Sequence, residues 1–387
     1  MHRGHLAWPF FEMEHRILAA QVDGWLSGTT LPYDDTDVDA LTRAWASALA
    51  NTGFLRQVTI SPFGGAKDRL DARSLCLIRE RLAYHHPIAD FTFAMQGLGS
   101  APITLFGSVA QKDQWLPAVT HGESLAAFAL SEEVAGSDVA AITTRAVRDG
   151  DGYIINGEKM WISNGGIAGF YTVFARTSDT GGKGLSVFIV PGDAPGVERA
   201  ERIVTSSPHP LARMRFCDVR VSTDAIIGEE GDGFRIAMSV LDLFRPSVAA
   251  AATGFARRAL DEMLKHAKSR EIFGGTLADL QLTQSALASS VAEIDASALL
   301  LYRAAWATDV GAAKTTRESA SAKWFATEAA GRITDRAVQL FGGRGVVVGE
   351  IVERLYRDVR ALRIYEGASE IQQIVIARNL LAEDYSG

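Results

Sequence analysis

The sequence lacks most of what would make it a cross-linked, metal-held or nucleic-acid-binding protein. It has 2 cysteines, Cys76 and Cys217, in different regions and without a partner at metal-ligand spacing. A disulfide scaffold or a zinc site is therefore a poor reading. The 8 histidines form no pattern, no Ser-His-Asp spacing emerges, and His85 and His86, ahead of Pro87, read as helix-end residues. There is no basic excess: the net charge is −7, whereas a nucleic-acid face needs a concentrated basic stripe. No apolar run approaches the ~18–20 residues that a membrane helix needs. The opening "MHRGHLAWPFFEMEHRILAA" lacks the basic-then-apolar order of a signal peptide. The expectation is a mature cytoplasmic protein with no nucleic-acid or membrane partner and no metal.

What is present is length and apolar content. At 387 residues the chain is long enough for two or three cores, and 47% hydrophobic with 22% charged residues is a normal globular balance. The first third reads helical: Met13, Ile17, Leu18, Val22 and Trp25 recur at helical spacing, as do Val38, Leu41, Trp45 and Leu49. "SPFGG" at 61–65 breaks the segments, and "QKDQWLPAVTHGE" at 111–123 predicts a short helix ended by Pro117. The middle third changes period. "TTRAVRDGDGYIINGEKMWIS", "GFYTVFART", "LSVFIVPG" and "MRFCDVRVS" are short β-prone runs separated by turn signals. Several strands without intervening helices predict an antiparallel barrel or sandwich. The last third is helical again. A long alanine-rich segment starts near Phe234, with Pro246 marking a break or a helix start. Leu287, Val291, Ile294, Ala298 and Leu301 form a packed seam. A segment from about Glu318 to Phe341 stops at Gly342-Gly343. The expected fold is mostly α with a central β domain: a helical domain over 1–126, a β domain over 127–233 and a four-helix bundle over 234–387.

Five short stretches carry chemistry only weakly when taken singly. "GGRGVVVG" at 342–349 is not a dinucleotide loop, because its glycines are misspaced and a helix rather than a strand precedes it. "ALSEEVAGSD" at 129–138 sets Ser131, Gly136 and Ser137 in a loop after an apolar run. Such hydroxyls and glycine amides suit a planar ring edge or a phosphate, although an ordinary capped turn has the same composition. "EKMWISNG" at 158–165 ends a strand with Trp161 and Ser163. Trp161 could stack on a flat cofactor, and taken alone it reads as a tryptophan of the barrel core. "SREIFGGTLADLQ" at 269–281 joins Arg270, Phe273 and Gln281; an arginine fork suits a pyrophosphate, or is an incidental loop charge. "LRIYEGASEIQ" at 362–372 wedges Glu366 between an aromatic residue and a glycine. A surface turn is the bland account of it, and a catalytic base the sharper one.

Taken in order, these stretches resemble the acyl-CoA dehydrogenase family over essentially the whole chain. "ALSEEVAGSD" is similar to the family pattern A-[LVMC]-[ST]-E-P-x-A-G-S-D, and "EKMWISNG" to its second signature. "RDVRALRIYEGASEIQQIVIAR" at 357–378 is similar to its C-terminal signature, and "QLFGGRG" and "SREIFG" also match. The resemblance implies an N-terminal helical domain, a middle β domain, a C-terminal four-helix bundle, FAD as cofactor and a homotetramer. It implies that Leu130, Ser131, Gly136 and Ser137 form the loop over the flavin, with Ser137 also on the substrate side. It puts Trp161, Ile162 and Ser163 beside the isoalloxazine. Arg270, Phe273 and Gln281 fall in the diphosphate and adenosine region. Gln339, Gly342 and Gly343 form a segment that reaches a neighbouring subunit's FAD. Gly367, Ala368 and Glu370 lie in the loop after the base, and Asp242, Phe244 and Arg245 are substrate-side.

The implied reaction is α,β-dehydrogenation of an acyl-CoA thioester to the 2,3-enoyl-CoA, as in acyl-CoA catabolism. A base takes the pro-R α-proton while the β-hydride passes to flavin N5. The family offers two base positions. The one on the first bundle helix is Phe244 here, which cannot accept a proton, so Glu366 is the candidate of the two. Desolvation at such a site raises a carboxylate's pKa, and a helix start at Ala368-Ser369-Glu370 opposes that shift, so its sign stays open. The sequence departs from the family at Glu133, where proline is usual, at Ala368, where threonine is frequent, and at Ser131, where threonine is common. An electron-transferring flavoprotein is the implied acceptor. The alternatives are a flavin monooxygenase or oxidase on the same fold and a non-catalytic acyl-CoA-binding protein; neither needs Glu366.

Overall fold

The structure is a computed structural model that describes residues 4–29 and 35–382. Five helices come first: α1 (Met13–Gly28), α2 (Val38–Asn51), α3 (Ala72–His85), α4 (Pro87–Phe106) and α5 (Val109–Thr120). Seven strands follow: β1 (Ala126–Ala129), β2 (Arg145–Asp149), β3 (Gly152–Ser163), β4 (Phe170–Arg176), β5 (Leu185–Pro191), β6 (Val197–Arg202) and β7 (Leu211–Ser222). The last part is α6 (Gly233–Ser269), a hairpin of β8 (Glu271–Ile272) and β9 (Gly275–Thr276), then α7 (Gln281–Asp309), α8 (Thr316–Phe341), α9 (Ile351–Arg360) and α10 (Ser369–Leu381). The helical, β, helical order is the one that the pattern of apolar residues predicts.

Local chemistry explains most of these elements and corrects some expectations. In α2 the Asp37 carboxylate caps the first turn at Ala40 N, 2.9 Å away, and Val38, Leu41, Trp45 and Leu49 are all buried. α1 forms where expected but buries a different face. Met13 and Ile17 are exposed, while His15, Ala19, Val22, Asp23 and Leu26 are buried. A partner turns that face inward: Asp23 lies 3.4 Å from the buried Arg81. Two expected proline breaks do not occur. α5 runs through Pro117 to Thr120, and α6 runs unbroken through Pro246. In α6 the turn beyond the proline, Val248–Ala252, is fully buried. Packing there outweighs one lost N–H bond, an interruption of about 3 kcal/mol. α6 is also long and apolar enough by composition to cross a membrane, contrary to the sequence expectation, but 78% of its apolar stretch is buried inside the fold, as in a core helix.

By contact density the chain forms two compact units. The first takes the described residues of 1–30, 72–90 and 242–387, and the second those of 31–71 and 91–241. The first unit is helical. Its core is built of small residues, among them Ala249, Ala252, Ala298, Ala305, Ala326 and Ala330, with Phe11, Leu301 and Tyr302 filling the larger gaps. Of the predicted seam on α7, Ile294, Ala298 and Leu301 are buried, whereas Val291 is exposed. The second unit is organised around one curled sheet of order β1-β4-β2-β3-β7-β6, with β5 also on β4. Its pairings are mostly antiparallel, but β1 and β2 both run parallel to β4. β4 and β5 are buried along nearly their whole length, as their continuous apolar runs require, and the charged β6 is an exposed edge.

Candidate functional site

In the second unit two of the sequence stretches meet. β1 ends at Ala129 and the chain turns through Leu130 to Asp138 alongside β3. Met160 N donates to Ser131 O at 2.9 Å, and Lys159 Nζ donates to Leu130 O at 3.0 Å. Leu130 and Ile162 are buried, Ser131 and Ser163 are half-buried, and Gly136 and Ser137 are exposed. A β-carbon added at Gly136 would meet nothing within 4 Å, so close packing in this unit does not require glycine there. β3 carries a bulge between Lys159 and Ile162 against β7. At that bulge Trp161 adopts a left-handed backbone, φ 63°, and its indole is 54% exposed. The tryptophan is thus not in the barrel core. Bulges re-aim side chains in this way, and a bulky residue at positive φ is uncommon enough to need a reason.

The loop is anchored by a buried ion pair. Glu132 Oε1 lies 2.9 Å from Lys159 Nζ and 2.9 Å from Thr144 N; its Oε2 accepts from Thr143 N at 2.6 Å and Thr143 Oγ1 at 2.7 Å. Burial opposes its ionisation, but Lys159 and these donors win and hold the Glu132 carboxyl at about 2. Burial pushes Lys159 down to about 8 against the pull of Glu132. Glu133, at the family's proline position, is exposed and meets Arg213 at 3.2 Å.

In the first unit Glu366 sits in a strained turn between α9 and α10. Its φ is 55°, and Gly367 follows at 92°. The backbone there demands glycine, and a β-carbon at Gly367 would lie 2.3 Å from Gln372 Nε2 and displace that amide. The turn is held by its main-chain carbonyls. Glu366 O accepts from Gln372 Nε2 at 3.2 Å and more weakly from Arg245 Nε at 3.5 Å. Gly367 O accepts from Gln372 Nε2 at 2.9 Å and Lys323 Nζ at 2.5 Å. The carboxyl itself is treated differently: its Oε2 is buried and without a hydrogen-bond partner. Burial raises the Glu366 pKa, against the lowering effects of Arg79, Lys323 and Arg245. This settles the sign that the sequence leaves open. Ala368 is the cap residue of α10, and the exposed Glu370 lies in its first turn.

The surroundings of Glu366 include residues that sequence reasoning missed. Arg79 grips Asp90 through two bonds of 2.8 and 3.0 Å and donates to Ser247 Oγ at 3.0 Å. Asp90 is held above the usual carboxylate range by burial, against Arg79. Lys323, fully buried on α8, is lowered to about 8 by burial. Arg245 pairs with Asp242 at 2.5 Å, and Asp242 accepts from Thr316 Oγ1 at 2.6 Å, so two of the substrate-side candidates are linked to the Glu366 turn. Phe244 is buried, with 1% exposure. One signal was available for Arg79: the triplet Arg79-Glu80-Arg81 follows directly on the apolar run Leu75-Cys76-Leu77-Ile78, and all three residues are buried.

Other candidates gather elsewhere on the first unit. Arg270, Phe273, Gln281, Gln339, Gly342 and Gly343 are all exposed, and Phe273 at the tip of the β8–β9 hairpin is 90% exposed. His266 stacks on Phe341 at 4.2 Å, and after burial both Arg344 and Arg270 press its pKa down. Among the described residues no hydrogen bond joins this group to the Glu366 turn. A cleft of about 410 Å³ between α8 and α10 is lined by Ser369 and Glu370 but not by Glu366.

Comparison with known proteins covers nearly the whole chain. Residues 12–123, 127–219 and 231–381 match the models of the acyl-CoA dehydrogenase N-terminal, middle and C-terminal domains. The cyclohexane-1-carbonyl-CoA dehydrogenase of Geobacter metallireducens is 40% identical over 87% of this chain and 89% of its own. The solved structure of butyryl-CoA dehydrogenase from Megasphaera elsdenii superposes with a TM-score of 0.90 at 32% identity, over 96% of this chain and 99% of that one. A chain in the structure described as the electron transferring flavoprotein of Acidaminococcus fermentans gives the same four values, TM-score 0.90, 32%, 96% and 99%.

Proposed function

This chain belongs to the acyl-CoA dehydrogenase family and is an FAD-dependent oxidoreductase that dehydrogenates acyl-CoA, and on that premise we propose that Glu366 is the base for the substrate α-proton. The observation that carries this reading is the enclosed, partnerless Oε2 of Glu366. A base must keep a lone pair free, and every other hydrogen bond in the turn goes to the main chain. Desolvation raises the carboxylate's proton affinity, which narrows the gap to the carbon acid it must deprotonate. Arg79, Lys323 and Arg245 favour the anion against burial without bonding to that oxygen.

The residues present fit FAD. The exposed Trp161 indole offers a flat face, and Ser131 and Ser163 offer hydroxyls on the same unit. Arg270 and Gln281 offer charge and an amide suited to its diphosphate and adenosine. Bound FAD supplies the hydride acceptor that the side chains lack. The chain's own tasks are to hold the acyl group, exclude water and take the α-proton at Glu366. Asp242 and Arg245 are proposed on the substrate side, with Phe244 in place of a second base.

The acyl group is proposed to be one without an absolute need for a straight chain, since a cyclohexane-1-carbonyl-CoA enzyme and a butyryl-CoA enzyme are both similar to this chain. An electron-transferring flavoprotein is the proposed acceptor, supported by the flavoprotein structure described above. A homotetramer is the proposed assembly, supported by the exposure of Phe273, Gln339 and Gly343 on the single chain. The test of the base is anaerobic bleaching of flavin-loaded protein by an acyl-CoA panel. Wild type should bleach with at least one member; Glu366→Gln should retain flavin and lose bleaching, and retained bleaching would move the base elsewhere.

A further inference from the structure

We infer that Lys323 is a positioning residue for the base: with Gln372 it clamps the Gly367 carbonyl and fixes the left-handed turn from which the Glu366 carboxyl projects, while its charge steadies that carboxylate from a distance. The inference rests on the reading of Glu366 as the base. Lys323 is fully buried on α8, and an uncompensated buried ammonium is expensive. Its hydrogen bond goes to Gly367 O at 2.5 Å, and among the described residues it forms no ion pair within 4 Å. A neutral donor, Gln372 Nε2, already reaches the same carbonyl at 2.9 Å. The hydrogen bond alone therefore does not call for a lysine. What the ammonium adds is a positive charge in a low-dielectric pocket, where charge acts strongly.

That charge faces a defined set of groups. From the turn comes Glu366; from α6, Arg245 with its partner Asp242; from α8 itself, Glu328; from α10, Glu370. Glu366 in turn feels Arg79 from α3 and Asp90 from α4. Burial drives the lysine towards its neutral form and the glutamate towards its protonated form, and each charge opposes the other's loss. Since Lys323 bonds to the main chain rather than to the carboxylate, it stabilises the anion and still leaves Oε2 bare.

The holoenzyme tests this with butyryl-CoA, glutaryl-CoA or cyclohexane-1-carbonyl-CoA, whichever bleaches the wild type. Lys323→Met should slow anaerobic bleaching at pH 7 by roughly 10- to 100-fold, in keeping with the effect of misplacing a catalytic group. It should also move the acid limb of the rate profile to higher pH, and speed amide exchange over residues 364–372. Lys323→Arg should keep the acid limb near its wild-type position. Gln372→Leu should speed exchange and leave the limb in place. A Lys323→Met enzyme with an unmoved limb and a rate within about threefold of wild type overturns the proposal. If that variant does not fold, Lys323→Gln takes its place, and an unmoved limb there overturns it equally. Glu366→Gln separates the two claims. Retained bleaching sinks the base reading, whereas the exchange signature of the clamp is read without substrate.

Discussion

Each unit buries a lysine beside a glutamate, and the two glutamates are shifted in opposite directions. Burial lowers both lysines, Lys159 and Lys323, to about 8. Glu132 nevertheless falls to about 2, while Glu366 rises. The difference lies in where the donors point. Four of them, counting Lys159 itself, converge on the two oxygens of Glu132. At Glu366 the donors reach only the main chain and Oε2 has none. A buried carboxylate is a structural anchor when its oxygens are saturated and a reactive group when they are bare. A nearby cation does not by itself decide which.

The comparison can be broken at several points. The largest expected effect is on rate: Glu366→Gln should reduce bleaching by roughly 10²–10⁴-fold, the usual contribution of a positioned base. Because its pKa is raised on folding, neutralising it should leave denaturant stability unchanged or higher. Glu132→Gln should do the reverse. It leaves Lys159 without its counter-ion, and losing one partner of a buried pair typically costs about 3–5 kcal/mol in urea or guanidinium unfolding. The pH dependence follows with opposite signs. The Glu132 contribution is fully present above its unfolded value of 4.5 and is lost as pH falls towards about 2, so acid unfolding should set in across that window. The raised Glu366 works against folding at neutral pH, and that penalty is relieved as pH falls through its folded pKa. Titration of the Glu366→Gln protein should therefore show a flatter stability profile just above 4.5. The smallest effect belongs to Glu133→Ala. Its pair with Arg213 is exposed on the glutamate side, so the change should stay within about 0.5 kcal/mol.

The same comparison shows what can be read from sequence. The order of helical and β segments, the glycine stop after α8 and the helix start at Ser369 were legible because each rests on neighbours along the chain. The core face of α2 was legible for the same reason. The proline breaks were misread because Pro117 and Pro246 are held by packing that local rules do not see. Glu366 stood out through its odd company, but its setting did not. Arg79, Asp90, Lys323 and Gln372 come from four helices, and nothing in their spacing announces a common target. Glu132 was read as one letter of a motif. Its role as the loop's anchor depends on Lys159, 27 positions away.

The bulge in β3 has a further consequence. A strand has a phase, since alternate residues face opposite ways, and β3 has two phases joined at a single inserted position. Lys159 and Ile162 both point inward although three steps separate them, and uninterrupted alternation would have put Ile162 outside and Trp161 inside. Straightening the bulge at constant length would put everything after it out of step, exposing Ile162 and driving the indole into the sheet's interior, whereas removing the inserted residue would abolish the bulge and keep Ile162 inside. The flat surface offered by Trp161 is thus a matter of register more than of composition: the same letters paired without the bulge would fold to a sheet without it.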